Sequence, residues 1–263
     1  MTLIDVRRDD VRVDTRSPVL QLAGVTKRFG QGQAAVTAIE GLDLTVERGE
    51  FLTIVGASGC GKSTLLSIIA GLTPQTSGTV EVQATRSALM FQDATLMPWL
   101  TVGGNVDLAL RLRGIPRSER PDRIRELLAL VHLDGRQEQR PHELSGGMRQ
   151  RVALARVLAQ EADLVLMDEP FGALDAMTRD AMHDELERLW SEHGLTVLFV
   201  THNVREAVRL GDRVIVLASG PGRVKAEMTV PLPRPRRIDS SEVAARAAAL
   251  TDALREEVRQ HVG

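Results

Sequence analysis

Apolar and polar residues along the chain fall into blocks that predict a mixed α/β fold. Short and mostly apolar runs, typical of strands buried on both faces, occur at Phe51–Val55, Asp163–Met167, Thr196–Val200 and Arg213–Leu217. Between the second and third of these runs, Arg179–Trp190 has the spacing of a helix. Because buried strands that alternate with helices form parallel sheets, we expect a mostly parallel sheet flanked by helices.

Near the amino terminus, apolar and polar residues instead follow the alternation of half-buried strands. This pattern predicts antiparallel strands over Val19–Phe29 and Ala35–Val46, and a short strand over Thr79–Gln83. Residues 1–17 are charged and show no clear period, so we expect them to form a flexible leader. They contain no apolar stretch of the kind that a signal peptide needs.

In the middle and at the end of the chain, helical spacing replaces the strand patterns. Helices are predicted over Val102–Leu112, Arg120–Val131 and Gly147–Leu158, and we expect them to form an insertion on the sheet. A Pro- and Arg-rich tail from Val230 leads to a final helix from Ser240. We expect this helix to pack on its own chain, with a dimer or regulatory contact as the alternative. Its apolar face consists of Val243, Ala247, Leu250, Leu254 and Val258.

Composition narrows the classes of function. The 33 basic and 35 acidic residues leave a net charge of −2, which does not predict a basic nucleic-acid surface. The single cysteine, Cys60, excludes an internal disulfide and fits a reducing compartment. No segment approaches the roughly 18 consecutive apolar residues of a membrane span. We therefore expect a soluble chain that works at a membrane only through a partner.

A phosphate-binding loop is predicted at Gly56–Thr64, which matches G-x-x-x-x-G-K-[ST] between a buried strand and a helix. Its glycines let backbone N–H groups point inward, and the helix adds the positive end of its dipole. Lys62 suits the β- and γ-phosphates, and the Ser63 hydroxyl suits Mg²⁺. The alternative is a glycine-rich turn with a chance lysine.

Two further motifs carry the chemistry of a nucleotide site. Asp168 and Glu169 end an apolar strand, where buried carboxylates are costly unless a cation or a proton-transfer role compensates. Asp168 suits a Mg²⁺ ligand, and Glu169 suits a group that polarises an attacking water. Leu144–Gln150 opens a helix with Ser145 and two glycines, which is a second anion-binding device. Taken alone, the first motif also fits a solvent-facing acidic turn and the second an ordinary capping turn.

In their order and spacing these motifs resemble the ATP-binding subunit of an ABC transporter, over about residues 19–235. By that resemblance Gly56–Thr64 is Walker A, Leu144–Gln150 the signature and Leu164–Asp168 Walker B. Gln92 becomes the glutamine of the Q-loop, and residues 173–175 become the D-loop. The resemblance assigns catalysis to Lys62, Gln92, Glu169 and His202, the last as the switch histidine. It assigns Mg²⁺ to Ser63, Gln92 and Asp168. It assigns ATP binding to Phe29, Gly56, Ser58, Gly59, Cys60, Gly61, Lys62, Ser63, Thr64, Ser145, Gly146, Gly147 and Asp175.

Two groups of residues leave alternatives open. Phe29 stands where the family often has a tyrosine that stacks on adenine, and a plain core position is the alternative. Met97 and Trp99 lie in a segment, Met90–Val102, that would receive a membrane partner, or they fill the core of the helical insertion.

The remaining histidines lack metal-ligand spacing, and we expect them at the surface or at helix ends. They are His132, His142, His183, His193 and His261.

The resemblance implies a P-loop NTPase fold of the ABC cassette type, with a mostly parallel sheet, an antiparallel β-subdomain and an inserted helical subdomain. Residues 18–91 and 161–238 would form the RecA-like nucleotide-binding core with its β-subdomain. Residues 92–160 would form the helical signature subdomain, and residues 239–263 a C-terminal helix.

The resemblance also implies a mechanism and partners. Two copies would dimerise head to tail around two MgATP at the cytoplasmic face of the inner membrane. They would drive an integral membrane permease that is served by an extracytoplasmic solute-binding protein, without a nucleic-acid partner. Segments such as Asp168–Arg179 are similar to the nitrate/sulfonate/taurine importer group, which favours an aliphatic sulfonate or taurine as solute, then nitrate or a thiamine-precursor pyrimidine.

Other classes of protein fit less well. A non-transport ABC ATPase acting on nucleic acid or ribosomes is the main alternative, although the coiled coils, zinc modules or second cassette common in that class are missing from this sequence. A P-loop kinase or GTPase does not explain the signature. Export is a further option that the absence of a fused membrane segment disfavours.

Overall fold

The computed structural model describes residues 18–218 and 220–262, so the predicted leader at 1–17 lies outside the described part. The strands are β1 (Leu20–Phe29), β2 (Val36–Val46), β3 (Phe51–Gly56), β4 (Ser77–Val82), β5 (Ser87–Met90), β6 (Leu164–Asp168), β7 (Thr196–Thr201), β8 (Arg213–Leu217) and β9 (Val224–Thr229). The helices are α1 (Lys62–Ile69), α2 (Val102–Leu112), α3 (Arg120–Leu130), α4 (Gly146–Leu158), α5 (Ala176–His193), α6 (Val204–Leu210) and α7 (Ser241–Val262).

A six-stranded sheet in the order β5-β6-β7-β3-β8-β9 forms the centre of the fold. All neighbours pair in parallel except β8 and β9, which are antiparallel. This confirms the predicted mostly parallel sheet. Every residue of β3, β6 and β7 is buried, because helices cover both faces of the sheet. The carboxyl ends of these three strands meet at one edge, where the chemically distinctive residues follow them in sequence.

A second, three-stranded sheet in the order β2-β1-β4 is antiparallel throughout. Its inward side chains, among them Leu22, Ile39 and Leu44, share an apolar core with α1 and with the central sheet. The packing holds β2 against the loop that follows β3. The predicted antiparallel region is therefore present and lies directly beside the phosphate-loop motif.

Helices α2, α3 and α4 pack together and against the β5 edge of the central sheet. Their apolar side chains join a core that also contains Phe51, Met167 and Phe199 of the sheet. Two strands of the central sheet escaped the sequence patterns. One is β5, which has only four residues, and the other is the edge strand β9, whose pattern is largely exposed and polar.

The tail after β9 is fastened to the core by two arginines. Arg236 is buried and donates hydrogen bonds to five carbonyl oxygens, including those of Val208 and Gly211 at the end of α6. Arg234 pairs with Glu187 and lies 4.3 Å from the Trp190 ring. Burial, with Arg234 as a lesser cause, lowers the pKa of Arg236 to about 10, so that its guanidinium stays charged at neutral pH.

The C-terminal helix α7 packs on α6 of its own chain, as predicted. Val243, Ala247 and Leu250 are buried in a core shared with β8 and α6. The side chains of Leu254 and Val258, the other predicted members of this face, lie outside the described part. Within residues 18–218 and 220–262, no helix is both long enough and apolar enough to cross a membrane.

Candidate functional site

The loop after β3 is shaped as a cradle for an anion. Gly59 and Gly61 have positive φ angles of 78° and 92°, which suit glycine. A Cβ on Gly61 would lie 2.6 Å from the Ala38 carbonyl oxygen of β2, so no larger residue fits there. Helix α1 then begins at Lys62 without a side-chain cap. Its first N–H groups therefore have neither an intrahelical partner nor a cap, and they are free to bind a ligand.

Lys62 is folded back onto this loop. Its Nζ lies 2.8 Å from the Gly56 carbonyl oxygen and 2.9 Å from that of Ala57, and the residue is buried. Cys60 lies beneath the loop, with its Sγ 3.7 Å from the same Nζ, and burial raises the pKa of its thiol. The ammonium group is thus held by neutral carbonyls, which a phosphate oxygen would replace with a charged and stronger acceptor.

Asp168 stands at the end of β6 beside the first turn of α1. Its side chain is buried, and burial raises the pKa of this carboxyl, while a hydrogen bond with Ser63 opposes the rise. The nearby charge of Glu169 raises the pKa further, and that of Lys62 lowers it. A carboxylate and a hydroxyl oxygen therefore lie together in a place where a negative charge has too little compensation. Oxygen donors of this kind suit Mg²⁺.

Glu169 and His202 face each other from adjacent strand ends. His202 Nδ1 lies 2.9 Å from Glu169 Oε2, and the imidazole is largely exposed. Glu169 has a φ of +45°, a left-handed conformation that is uncommon for residues other than glycine. Its N–H donates to the Val200 carbonyl at 2.9 Å, and its own carbonyl accepts from Gly172 at 3.2 Å. Strain of this kind is typical of functional sites, where the surrounding structure holds a side chain in place.

Most of these groups line one open cavity of about 400 Å³, although Asp168, which is bonded to Ser63, is not part of its wall. The cavity brings together the loop, the start of α1, the glutamine before the helical insertion, the carboxylate after β6 and the histidine after β7. Ala38 was not predicted, because nothing in an alternating strand pattern marks one residue as a neighbour of the loop. The lining residues are Ala38, Ser58, Gly59, Gly61, Lys62, Ser63, Thr64, Gln92, Glu169 and His202.

Several predicted nucleotide-binding residues lie away from this cavity. Gly56 and Cys60 form the buried underside of the loop, where a Cβ on Gly56 would approach Cys60 Sγ to 2.6 Å. Phe29 is 46% exposed, and Lys27 Nζ lies 4.9 Å from its ring centroid. A plain core position for Phe29 is therefore wrong. Asp175 caps α5 by accepting from the Thr178 N–H at 3.0 Å, and this bond lowers the pKa of its carboxyl.

The signature residues form a second and separate helix start. Ser145 caps α4 by accepting a hydrogen bond from the Met148 N–H at 3.2 Å. Gly147 lies so close to the D-loop that an added Cβ would come within 2.8 Å of Leu174 Cδ2. None of the described residues Ser145, Gly146 and Gly147 lines the cavity. One chain thus has two candidate phosphate-binding ends that do not meet.

The segment after Gln92 connects the cavity to the surface. The Gln92 carbonyl oxygen accepts from Gln150 Nε2 at 2.7 Å, and further along the chain Trp99 is 68% exposed. The interpretation of Trp99 as a core residue is therefore wrong. Phe91, which immediately precedes Gln92, is also exposed.

The expectation that the remaining histidines lie at the surface or at helix ends is wrong for His183. Its ring is fully buried, with Nε2 2.5 Å from Glu206 Oε1 and Nδ1 2.9 Å from Arg209. It also packs edge-on against Phe171 at 5.3 Å between centroids. The partners come from α6, far along the chain, so no spacing rule for a single helix reveals them. Among the described residues, no cluster of three or more histidine, cysteine or acidic side chains has the arrangement of a metal site.

The chain is similar to proteins of one known family. A family model described as ABC transporter matches residues 39–172. An uncharacterized ABC transporter ATP-binding protein of Methanocaldococcus jannaschii is 45% identical, over 95% of this chain and 97% of that protein. An aliphatic sulfonates import ATP-binding protein of Paraburkholderia xenovorans is 48% identical, over 97% of this chain and 70% of that protein.

Two further proteins extend the comparison. A nitrate import ATP-binding protein of Synechocystis is 44% identical, over 81% of this chain and 83% of that protein. Among solved structures, a dimeric, post-hydrolysis ATP-binding cassette bound to ADP and phosphate superposes with a TM-score of 0.75. It is 34% identical, and the match covers 81% of this chain and all of that one.

Proposed function

The chain belongs to the ABC transporter ATP-binding family and is an ATPase, and on that basis we propose that it powers a bacterial importer as a head-to-tail dimer. The observation that carries the dimer is the separation of the two helix starts. The loop, Gln92, Glu169 and His202 share one cavity, and Ser145 to Gly147 lie elsewhere. A second copy would bring its signature residues to the open side of this cavity. The dimeric cassette similar to this chain supports that arrangement.

Within the cavity, each side chain has a separate task in ATP hydrolysis. The uncapped start of α1 binds the phosphates, and Lys62 moves from its loop carbonyls to the β- and γ-phosphates. Glu169 orients the attacking water and accepts its proton. His202, hydrogen-bonded to Glu169, contacts the γ-phosphate and keeps the carboxylate oriented. Gln92 completes the wall of the cavity at the entrance to the helical insertion.

The residues beside α1 fit a magnesium ion. Asp168 and Ser63 provide neighbouring oxygen donors, and burial raises the pKa of the Asp168 carboxyl more than the hydrogen bond with Ser63 and the charge of Lys62 lower it, so a further cation would stabilise its ionised form. Gln92 is a third candidate ligand on the cavity wall. When bound, Mg²⁺ would neutralise charge that develops on the phosphate oxygens.

Import is supported by the relatives, whose names specify sulfonate and nitrate uptake. We propose an aliphatic sulfonate or taurine as solute, with nitrate as the second choice. The exposed side chains of Trp99 and Phe91 would contact the cytoplasmic side of a permease, and an extracytoplasmic solute-binding protein would deliver the solute to that permease. In this proposal residues 18–91 and 161–238 are the catalytic core, residues 92–160 are the signature subdomain that contacts the permease, and residues 239–263 form an accessory helix.

The dimer is tested with two substitutions in sequence. Glu169→Gln should lower turnover by about 100-fold or more and still bind ATP, because only proton transfer is lost. We expect the Glu169→Gln variant to elute from a size-exclusion column as a dimer in MgATP and as a monomer without it. Adding Ser145→Arg should prevent the dimer and leave the affinity of the monomer within about twofold, since distant sites act independently. A loss of monomer affinity on Ser145→Arg would place the signature in the chain's own site instead.

The transport assignment is tested by tagging the Glu169→Gln chain and recovering its partners from gently solubilised native membranes in MgATP. A permease with several membrane spans, encoded beside a sulfonate- or nitrate-type binding protein, would support both the importer and the solute class. Recovery of ribosomes or nucleic acid without a permease would contradict transport and leave the ATPase intact.

A further inference from the structure

The segment between Gln92 and Trp99 is held by the signature helix, and we propose that Arg156 and Gln150 of α4 position it. They act so that a change at the nucleotide cavity and a change at the exposed Trp99 surface occur together. This inference rests on the proposed function, because it names the residues that would carry a signal from that cavity. Arg156 and Gln150 do not line the nucleotide cavity, so their proposed role is to position the segment.

Arg156 bonds to the middle of the segment with both terminal nitrogens of its guanidinium group. Its Nη1 lies 2.9 Å from the Thr95 carbonyl oxygen, and its Nη2 lies 3.4 Å from that of Ala94 and 3.3 Å from the Thr95 hydroxyl. Burial lowers the pKa of Arg156. A partly buried arginine that has exchanged water for backbone carbonyls keeps these bonds, because leaving the charge without partners is costly.

Thr95 has a conformation that needs such support. Its φ is +43°, and positive φ is an outlier for a β-branched residue. A residue in this region persists only where neighbouring groups over-determine it. The three bonds from Arg156 are directed at this residue and at the one before it, so they hold the chain where it is strained.

The two ends of the segment are tied in the same way. Gln150 donates to the Gln92 carbonyl oxygen at 2.7 Å, while its own Oε1 is buried and has no partner among the described residues. At the other end, the buried Asn105 of α2 accepts from the Met97 N–H at 2.8 Å and donates to the Met97 carbonyl at 3.2 Å. Residues 92–97 are therefore bonded at both ends and in the middle to packed helices of the insertion.

Two consequences follow from this arrangement. A displacement of Gln92 would be passed along the segment, since its backbone is bonded to α4 and α2 at residues 92, 94, 95 and 97. The unpartnered Gln150 Oε1 also leaves room for a second donor if Gln92 moves, which gives α4 a way to hold another position of the segment. The same helix is capped at its start by Ser145, so the cavity of one chain would be linked to the signature end that serves the second chain's nucleotide.

The chain contains only two tryptophans, Trp99 and the half-buried Trp190, which makes a direct test possible. In the Glu169→Gln background, the fluorescence of the chain minus that of its Trp99→Phe counterpart reports on Trp99 alone. We expect MgATP to shift this difference signal. In Arg156→Met this MgATP-induced shift should be about fivefold smaller than in the parent. The ATP affinity of Arg156→Met, measured by equilibrium dialysis, should stay within about threefold of the parent's. Gln150→Glu, which removes the donor to Gln92 and keeps the side-chain shape, should reduce the shift as well.

Arg151→Met is the matched control. Arg151 lies on the same helix, is also partly buried with a lowered pKa, and also donates to backbone carbonyls, those of Val131 and His132. It should keep the full shift because it does not touch residues 92–97. If Arg156→Met does not fold, Arg156→Lys replaces it, since one ammonium cannot reproduce the guanidinium fork.

The outcomes separate the inference from the proposed function. A full Trp99 shift in Arg156→Met, an equal loss in Arg151→Met, or no shift in a parent chain that binds ATP would each overturn the inference. Failure of the parent to bind ATP in dialysis would instead contradict the proposed nucleotide site.

Discussion

The starts of α1 and α4 are both rich in glycine, and both were predicted to bind phosphate, yet the structure finishes them differently. At α4, the Ser145 hydroxyl caps the helix and Gly147 packs against Leu174. At α1 there is no side-chain cap, and the Lys62 ammonium is bonded to neutral groups of the loop, two carbonyls and the Cys60 sulfur. Asp168 beside it has a raised pKa, and Glu169 has a positive φ. One end is satisfied by its own chain, and the other keeps several groups that a ligand would stabilise.

The difference indicates a division of labour. The start of α1 is ready to bind a charged ligand, and its buried carboxylate and its strained backbone at Glu169 lower the stability of the ligand-free fold. This combination is typical of a site that binds a substrate directly. The start of α4 is stable without a ligand, so it suits a surface that waits for a nucleotide already bound to another chain. Substitutions at the two ends should therefore have different consequences, and the predictions below compare them in order of size.

The largest effect on ATP binding is expected at the start of α1. Lys62→Ala removes a buried, charge-assisted donor and should weaken ATP binding by about 100-fold, equivalent to roughly 3 kcal/mol. Equilibrium dialysis with labelled ATP measures this change. Lys225→Ala, on the exposed edge strand β9, is the control and should leave affinity unaltered. Tight binding by Lys62→Ala would remove the difference between the two helix ends.

A smaller effect on affinity is expected from the shape of the loop. Gly61→Ala forces a Cβ against the Ala38 carbonyl and imposes a φ of +92° on alanine, so we expect ATP affinity to fall by about tenfold and stability by at least about 1 kcal/mol. Gly49→Ala has a similar φ of +75° but open space around it. It should lose about 1 kcal/mol of unfolding free energy and bind ATP normally. Equal affinities for these two variants would argue against the close fit of the loop on β2.

Substitution at the start of α4 should lower the rate of ATP hydrolysis and leave the affinity for ATP unchanged. Ser145→Ala loses the cap of α4, at a cost of about 1 kcal/mol in stability, and one phosphate contact in the dimer, worth about tenfold in turnover. Thr101→Ala removes the equivalent cap of α2, whose hydroxyl accepts from the Gly104 N–H at 3.0 Å. It should show a similar loss of stability with unchanged turnover. A steady-state ATPase assay beside thermal unfolding separates the two effects, and equal turnover in both variants would remove Ser145 from the phosphate site.

The smallest effect concerns stability and its dependence on pH. Because burial raises the pKa of Asp168, its charged form destabilises the fold above that pKa, and Asp168→Asn should raise the Tm of the nucleotide-free chain by up to about 3 °C at neutral pH. The gain should shrink as the pH falls through the raised pKa toward 3.8, where the parent carboxyl becomes protonated.

Asp175 provides the comparison of opposite sign. Its pKa is lowered by the bond from Thr178, so the ionised carboxyl stabilises the fold, and this contribution is lost as the pH falls below 3.8. Asp175→Ala should therefore have a lower Tm than the parent at neutral pH and approach it in acid. For Asp168, the opposite result would be a Tm of Asp168→Asn below that of the parent at neutral pH. It would mean that the ionised Asp168 carboxyl stabilises the fold, which contradicts a pKa raised by burial.

Much of the fold followed from the sequence because its signals are local. The boundaries of α2 and β8 match the predicted ones, since each combines a clear period with a capping or turn residue. β5 and β9 were missed because a strand of four residues and an exposed edge strand produce little periodicity. The gathering of Lys62, Gln92, Glu169 and His202 agrees with motifs from four separate parts of the chain.

Other features depend on contacts between distant elements, which no local pattern specifies. His183 has an unremarkable place on an amphipathic helix, and only the arrival of Glu206 and Arg209 on α6 makes it a buried hydrogen-bonding centre. Ala38 reaches the cavity because β2 packs against Gly61. The bonds from Arg156 to the backbone at Thr95 are likewise long-range, and carbonyl acceptors carry no sequence signature.

The position of β3 in the central sheet also affects how the chain is made. Its two neighbours are β7 and β8, which follow it by more than a hundred residues in the sequence. During synthesis, the strand that carries the phosphate loop therefore stays unpaired until most of the polypeptide has left the ribosome. The nucleotide site is completed late, after the helical insertion has been translated. A chain that ends before β7 would lack His202 and both neighbours of β3, so ATP would protect only longer molecules from chaperones and proteases.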